Sequence, residues 1–171
     1  MVIDQLFDQI TKLSIGDVIS SDELAIIAGV KNGLGLQCGI LVNDKDRLTV
    51  LVMSCTSSGI TSNYPNYWDE ETIGILHYCG TNKGLTKVAS KQNLNSRLNK
   101  AVNEGTYPIQ VYARIDAGMY RYLGLFKRIP ALDKELIYEG RTIYQFGLVS
   151  TNIDSSSKYI EDIIELSPCS S

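Results

Sequence analysis

Five short segments constrain this chain more than any other feature: "LQCGILVN" (36–43), "RLTVLVMS" (47–54), "YPIQVYARI" (107–115), "MYRYLGLFKRI" (119–129) and "RTIYQFGLVS" (141–150). Each is rich in Val, Ile, Leu and Tyr and is bounded by turn residues such as "NDKD" and "DAG". Branched and aromatic side chains suit a pleated surface, so these runs read as strands. Together they predict a largely antiparallel sheet or barrel.

Helices are expected around that sheet. Ile3, Leu6, Phe7, Ile10 and Leu13 recur at helical spacing over residues 1 to about 13. A second helix is expected in "SDELAIIAGV", with Ser20 or Ser21 as N-cap, Asp22 and Glu23 in the first turn and Gly29 as the stop. A third is expected at about 91–104, with Leu94, Leu98, Ala101 and Val102 on one face and Gly105 closing it. In the tail, "YIEDIIEL" reads as either helix or strand. The second helix resembles the opening of a helix-turn-helix, but the glycine-rich "KNGLGLQCGILV" that follows turns into strand where a recognition helix belongs.

At 171 residues the chain is long enough for one compact domain with a full core. Hydrophobic residues at 44% and charged residues at 20% exclude a disordered or fibrous composition. Cys38, Cys55, Cys79 and Cys169 form no CxxC pair and read as reduced thiols. His77 is the single histidine and has no spaced partner for zinc, so no metal or other cofactor is expected. The opening "MVIDQLFDQITKL" carries acids where a signal peptide would be basic, and no apolar run approaches the roughly 20 residues that cross a bilayer. A cytoplasmic protein with no membrane partner is the expectation.

The net charge of −3 argues against a surface that grips nucleic acid everywhere. Total charge conceals a separation, however. "TNKGLTKVASKQNLNSRLNK" (81–100) holds Lys83, Lys87, Lys91, Arg97 and Lys100 and no acid, which permits a local basic face on an acidic protein.

Just before it, "NYPNYWDEETIGILHYCG" (63–80) gathers Tyr64, Tyr67, Trp68 and Tyr78 with Asp69, Glu70, Glu71 and His77. A packed core does not favour acids among its aromatic rings. One reading is a sheet edge meeting a loop, with buried rings and wet polar tips. The other is a pocket for one flat, polar ring, with Tyr67 or Trp68 on one side of it, Tyr78 on the other, and a carboxylate at its edge.

Other chemistries are poorly supported. "GLGLQCG" has its third glycine one position late for a dinucleotide loop, and "GTNKGLTK" has the wrong spacing for a phosphate-binding loop. Ser57 and Ser58 before Gly59 make no nucleophile elbow, and His77 has no acid partner at a readable spacing. Cys79 would share a strand face with His77, yet nothing marks a base orienter or an oxyanion site. Asp133, Glu135 and Glu139 around Lys134 in "ALDKELIYEGR" offer a metal-dependent nuclease as an alternative, against the reading of a charged turn between strands.

The "YWD" cluster followed by "HYCG", the polar loop and helix with "QNLNSRL", and the pair "YPIQVYARI" and "MYRYLGLF" occur in an order that resembles the SRA (SET- and RING-associated, or YDG) domain. The likeness is to the bacterial form attached to HNH nucleases of modification-dependent restriction systems, and it runs from about residue 36 to 150. The family's tyrosine-threonine-glycine stretch is similar to Tyr78, Cys79 and Gly80 here, and its base-reading acid to Asp69. Its tyrosine-aspartate-glycine element is similar to Tyr122, Leu123 and Gly124, with the aspartate absent.

The resemblance implies an α+β fold, a twisted, mostly antiparallel SRA/PUA-like β-barrel with flanking helices. The implied organisation is an N-terminal helical extension over 1–35, the SRA-like domain over 36–150, and a tail or start of a linker over 151–171. It further implies duplex DNA carrying 5-methyl- or 5-hydroxymethylcytosine as partner, with the modified base flipped into a pocket. Tyr64, Tyr67, Trp68, Asp69, Tyr78 and Cys79 are the pocket candidates, and Lys83, Lys87, Lys91 and Arg97 the backbone contacts. Catalysis is not expected of this chain alone: a nuclease domain in the same or a partner chain is implied, and a homodimer is left open. A β-barrel holding another flat ligand is the remaining alternative. Tyr120 and Tyr122 are expected to be core or edge-strand residues.

Overall fold

A computed structural model describes residues 13–54, 66–69, 71–80, 94–138 and 141–154. Within them the strands are β1 (Val18–Ser20), β2 (Ile40–Asn43), β3 (Leu48–Ser54), β4 (Tyr67–Trp68), β5 (Ile75–Cys79), β6 (Ile109–Asp116), β7 (Met119–Arg128), β8 (Lys134–Tyr138) and β9 (Arg141–Ser150). Two α-helices accompany them, α1 (Ser21–Ala28) and α2 (Arg97–Glu104). Short 3₁₀ turns occupy Gly33–Cys38 and Pro130–Leu132. The helix expected over residues 1 to about 13, Leu13 apart, and the "YIEDIIEL" stretch fall outside the described residues.

The five strand-like runs all supply strands. Two of the other readings are corrected. "GLGLQC" winds into a 3₁₀ turn, so β2 starts only at Ile40, and "KELIY", read as part of a charged turn, is β8. β8 pairs with β9 from Lys134↔Gln145 to Tyr138↔Arg141, a tight hairpin register that the charges of Lys134 and Glu135 conceal in the sequence.

Along the sheet the order is β2-β3-β6-β7-β9-β5-β4, with β1 on β7 and β8 on β9. β3 and β6 run parallel, from Thr49↔Ile109 to Ser54↔Arg114; the other pairings are antiparallel. A parallel pair needs a long crossover, and here the crossover contains the β4–β5 hairpin and α2. One edge of β7 is used twice, by β1 at Met119–Arg121 and by β9 at Phe126–Arg128, while β6 lies along its other edge. That sharing, with bulges at Val111/Tyr112 and Arg114/Asp116, curls the sheet. Gly124 adopts φ +101°, and a Cβ there would come within 2.8 Å of Ile15 Cδ1. Only glycine suits both the backbone and the space.

The period of two distributes side chains to two faces. Ile109, Val111 and Ala113 of β6 join Trp68, Leu76, Tyr78, Phe126, Phe146 and Leu148 in one core, against which Leu98 of α2 packs. Tyr112 of β6 joins Tyr120, Tyr122, Val50 and Leu24 and Ala28 of α1 in the other. The Tyr112 and Tyr122 rings lie 5.1 Å apart. Tyr120 and Tyr122 are thus core residues.

Local signals explain both helices. At α1 the Ser20 Oγ accepts from Glu23 N at 3.2 Å and Glu23 Oε1 accepts from Ser20 N at 3.3 Å, a capping box, and Gly29 closes the helix at φ +72°. α2 ends at Gly105 in the left-handed region. Within the stretch 1–35, β1 joins the sheet and α1 buries Leu24, Ala25 and Ala28. Among the described residues no helix is long and apolar enough to cross a membrane.

Candidate functional site

The β4–β5 hairpin forms one end of the sheet order, and its register decides what each residue can do. Trp68 stands opposite Leu76, and Tyr67 opposite His77. Partners directly across a ladder share a face, so Trp68 goes with Leu76 and Tyr78 into the core. Asp69 follows β4, and its N–H donates to Ile75 O at 2.9 Å, which extends the pairing by one residue.

The Asp69 carboxylate is held from two sides. Oδ1 accepts from the N–H groups of Glu71 (3.0 Å) and Thr72 (2.9 Å), an Asx-type turn that folds the hairpin loop back on the strand end. Oδ2 lies 2.9 Å from Nε2 of His77. His77 is buried at 1% exposure, whereas the Asp69 side chain keeps 25% of its surface. The His77 hydrogen bond is the main reason the Asp69 carboxyl titrates below its ordinary range. It prevails over the opposing effect of partial burial, and the Thr72 and Glu71 N–H groups add to it.

Tyr78 is 2% exposed, and its hydroxyl lies 2.8 Å from Gly39 O and 2.7 Å from Val52 O. The phenol therefore ties β5 to β3 and to the turn before β2. Cys79 is buried too. Its N–H donates to Asn66 Oδ1 at 2.7 Å, and Gln145 Nε2 approaches its Sγ at 3.7 Å. Burial pushes the thiol up to about 12, with the Gln145 contact only partly offsetting it. A thiol so placed is not the thiolate that nucleophilic chemistry requires.

The register thus divides the aromatic cluster read from the sequence. Trp68 is 1% exposed, with its ring 5.6 Å from that of Phe126, and is core rather than a wall open to solvent. Tyr78 lies on that same core face. Asp69, by contrast, is at the hairpin tip with part of its surface open. Tyr64, Lys83, Lys87 and Lys91 lie outside the described residues, and of Tyr67 the backbone pairing alone is described. Arg97 opens α2 with its side chain 63% exposed, 2.7 Å from Asp44 Oδ2. An ion pair this open to water is weak and screened by salt, so the guanidinium can exchange Asp44 for another anion.

Asp133 is enclosed by protein partners rather than open to a metal. It forms a buried ion pair with Arg128, accepts from the Tyr144 hydroxyl at 2.6 Å and from Gly147 N at 2.8 Å, and is 6% exposed. Lys134 and Glu135 are exposed residues of β8, and Glu139 lies outside the described residues. Among the described residues, no group of three or more His, Cys, Asp or Glu side chains could hold a metal ion. The carboxylate suggested for a nuclease is a structural clamp.

Sequence reasoning missed the acid partner of His77, which is Asp69, and it missed Asn66. The signal was present in hairpin arithmetic: Asp69 and His77 are eight residues apart, around a turn that needs Gly74 at φ +90°.

No protein-family model matches the sequence, and no curated protein matches it. Solved structures do. The SRA domain of SUVH5 in complex with fully methylated CG DNA superposes with a TM-score of 0.52 at 21% identity, over 82% of this chain and 90% of that one. The same domain in a methylated CHH DNA complex gives the same values. The sulfur binding domain and SRA domain of ScoMcrA, complexed with phosphorothioated DNA, match with a TM-score of 0.54 at 12% identity, over 81% of this chain and 40% of that one. The fold is that of the SRA domain, as the order of sequence elements implies.

Proposed function

We propose that this chain reads modified cytosine in duplex DNA by receiving the flipped base at the β4–β5 end of the sheet. The observation that carries the reading is Asp69, a pre-oriented and partly open carboxylate at the strand end, on a chain with the SRA fold. A carboxylate accepts a hydrogen bond from the exocyclic amine of cytosine, which thymine lacks. The structures of similar fold contain methylated or phosphorothioated DNA, which supports DNA as the partner.

Extruding a base costs a few kcal/mol, and each aromatic ring stacked on it returns about 1–3 kcal/mol. Tyr64 and Tyr67 supply stacking on this reading, while Trp68 and Tyr78 stiffen the hairpin from its core face and Cys79 ends the strand behind it. Lys83, Lys87, Lys91 and Arg97 contact phosphates. Burial of one methyl group is worth only about 0.8 kcal/mol, so a choice among substituents also requires a pocket shaped against the wrong one. The chain then acts as the sensing module of a cytoplasmic modification-dependent restriction system, with the nuclease domain in the same or a partner chain, as a monomer or a homodimer.

The test is binding to short duplexes that differ at one position: cytosine, 5-methylcytosine, 5-hydroxymethylcytosine or thymine. Preference for one modified cytosine, with affinity falling steeply as salt rises, is the expected result. Equal or absent binding to all four removes base reading. Tight binding of a free nucleoside without duplex DNA transfers the pocket to another flat ligand.

A further inference from the structure

We infer that His77 is a positioning residue for base selectivity: it never touches DNA, but holds Asp69 so that a single acceptor position faces the incoming base. The inference rests on the base-reading function proposed above.

An ionised carboxylate offers about four lone-pair positions. On Asp69 two are taken at Oδ1 by the N–H groups of Glu71 and Thr72, and one at Oδ2 by His77. One position on Oδ2 is left over. The three contacts come from two different elements: the backbone turn holds Oδ1, while His77 reaches Oδ2 from β5. Rotation of the carboxylate about its χ2 bond would break both sets together, so the remaining position has a fixed direction.

His77 is suited to hold but not to read. At 1% exposure it is sealed within the sheet, and its backbone is paired to Tyr67 on one side and Gly147 on the other. The 2.9 Å distance also assigns its proton. With Nε2 unprotonated, two acceptors would face each other at that separation, so Nε2 carries the hydrogen.

A fixed carboxylate with one open position accepts one N–H donor. The 4-amino group of cytosine meets that requirement, whereas the 4-oxo group of thymine sets an oxygen against an oxygen and leaves the acceptor unsatisfied. Sites built to hydrogen-bond one group reject analogues that lack it far more strongly than shape alone does. Without His77, Oδ1 stays on the turn but Oδ2 has two open positions instead of one, and the amine is no longer distinguished by direction.

Two measurements on the full chain test this. His77 is the single histidine, so its ring nitrogens give unambiguous ¹⁵N signals; a protonated Nε2 that shifts in Asp69→Asn is expected, and an unprotonated Nε2 overturns the inference. In binding, the ratio of affinities for the preferred modified-cytosine duplex over the thymine duplex is expected to fall about tenfold in His77→Phe, the scale of one charge-assisted hydrogen bond. His77→Gln, whose amide nitrogen can occupy the Nε2 position, is expected to restore most of it. An unchanged ratio in His77→Phe overturns the positioning role while base reading stands. If the wild type itself shows no preference, base reading fails, and with it this selectivity role. If His77→Phe does not fold, the wild-type nitrogen signals and the His77→Gln ratio decide.

Discussion

Two carboxylates flank the same region of sheet and have opposite fates. Asp133 is enclosed, with a guanidinium, a phenol and a backbone N–H around it and 6% of its side chain exposed. Asp69 has an imidazole and two backbone N–H groups around it and 25% of its side chain exposed. The number of partners is the same, three in each case, so hydrogen-bond count does not distinguish the two. What separates them is enclosure: one carboxylate is sealed in against a full opposite charge, and the other keeps a quarter of its side-chain surface open at a strand end.

The comparison breaks most visibly at Asp133. Asp133→Ala leaves Arg128 buried without its carboxylate and is expected to cost about 3–5 kcal/mol, a fall of roughly 10 °C in melting temperature. A melting curve like that of the wild type would show the clamp to be dispensable. Asp69→Ala should reverse the pattern: a small change in melting, with cytosine-over-thymine selectivity reduced by about tenfold or more. Unchanged selectivity would return Asp69 to the role of a turn residue.

Lys87→Ala provides a third point, because on the proposed function Lys87 contacts phosphate and has neither kind of specificity. Affinity should weaken equally for every duplex, and the log–log salt slope should shrink by about 1; a loss confined to modified DNA would move Lys87 into the pocket. The smallest effect is on acid stability. Because folding depresses the Asp69 carboxyl, its stabilising contribution is full above the ordinary value of 3.8 and lost as pH falls through the lower folded value. The stability gap between wild type and Asp69→Asn should therefore narrow below pH 3.8; a gap that widens there would reverse the assigned cause.

What the sequence made legible follows from length. β3, β6, β7 and β9 are long enough for period and composition to show, and α1 announces itself through Ser20, Glu23 and Gly29. β1 has three residues and β4 two, too few for any alternation to register, so the partition of Trp68 from Asp69 between faces could not be read. The parallel β3–β6 pairing was also hidden, since no local signal specifies which distant strand a segment meets. Asp69 was singled out through its likeness to the family's base-reading acid. His77 was dismissed because its partner lies across a turn whose position only the hairpin register sets. Asp133 shows the converse error: a carboxylate beside a lysine reads as chemistry until its neighbours are known.

The hydroxyl of Tyr78 has a consequence for how the curled sheet keeps its shape. With its hydroxyl between Gly39 O and Val52 O, the outgoing end of β5 is moored to β3, a strand that is not its neighbour in the sheet order, so one phenol pins two distant parts of the sheet to each other across the core.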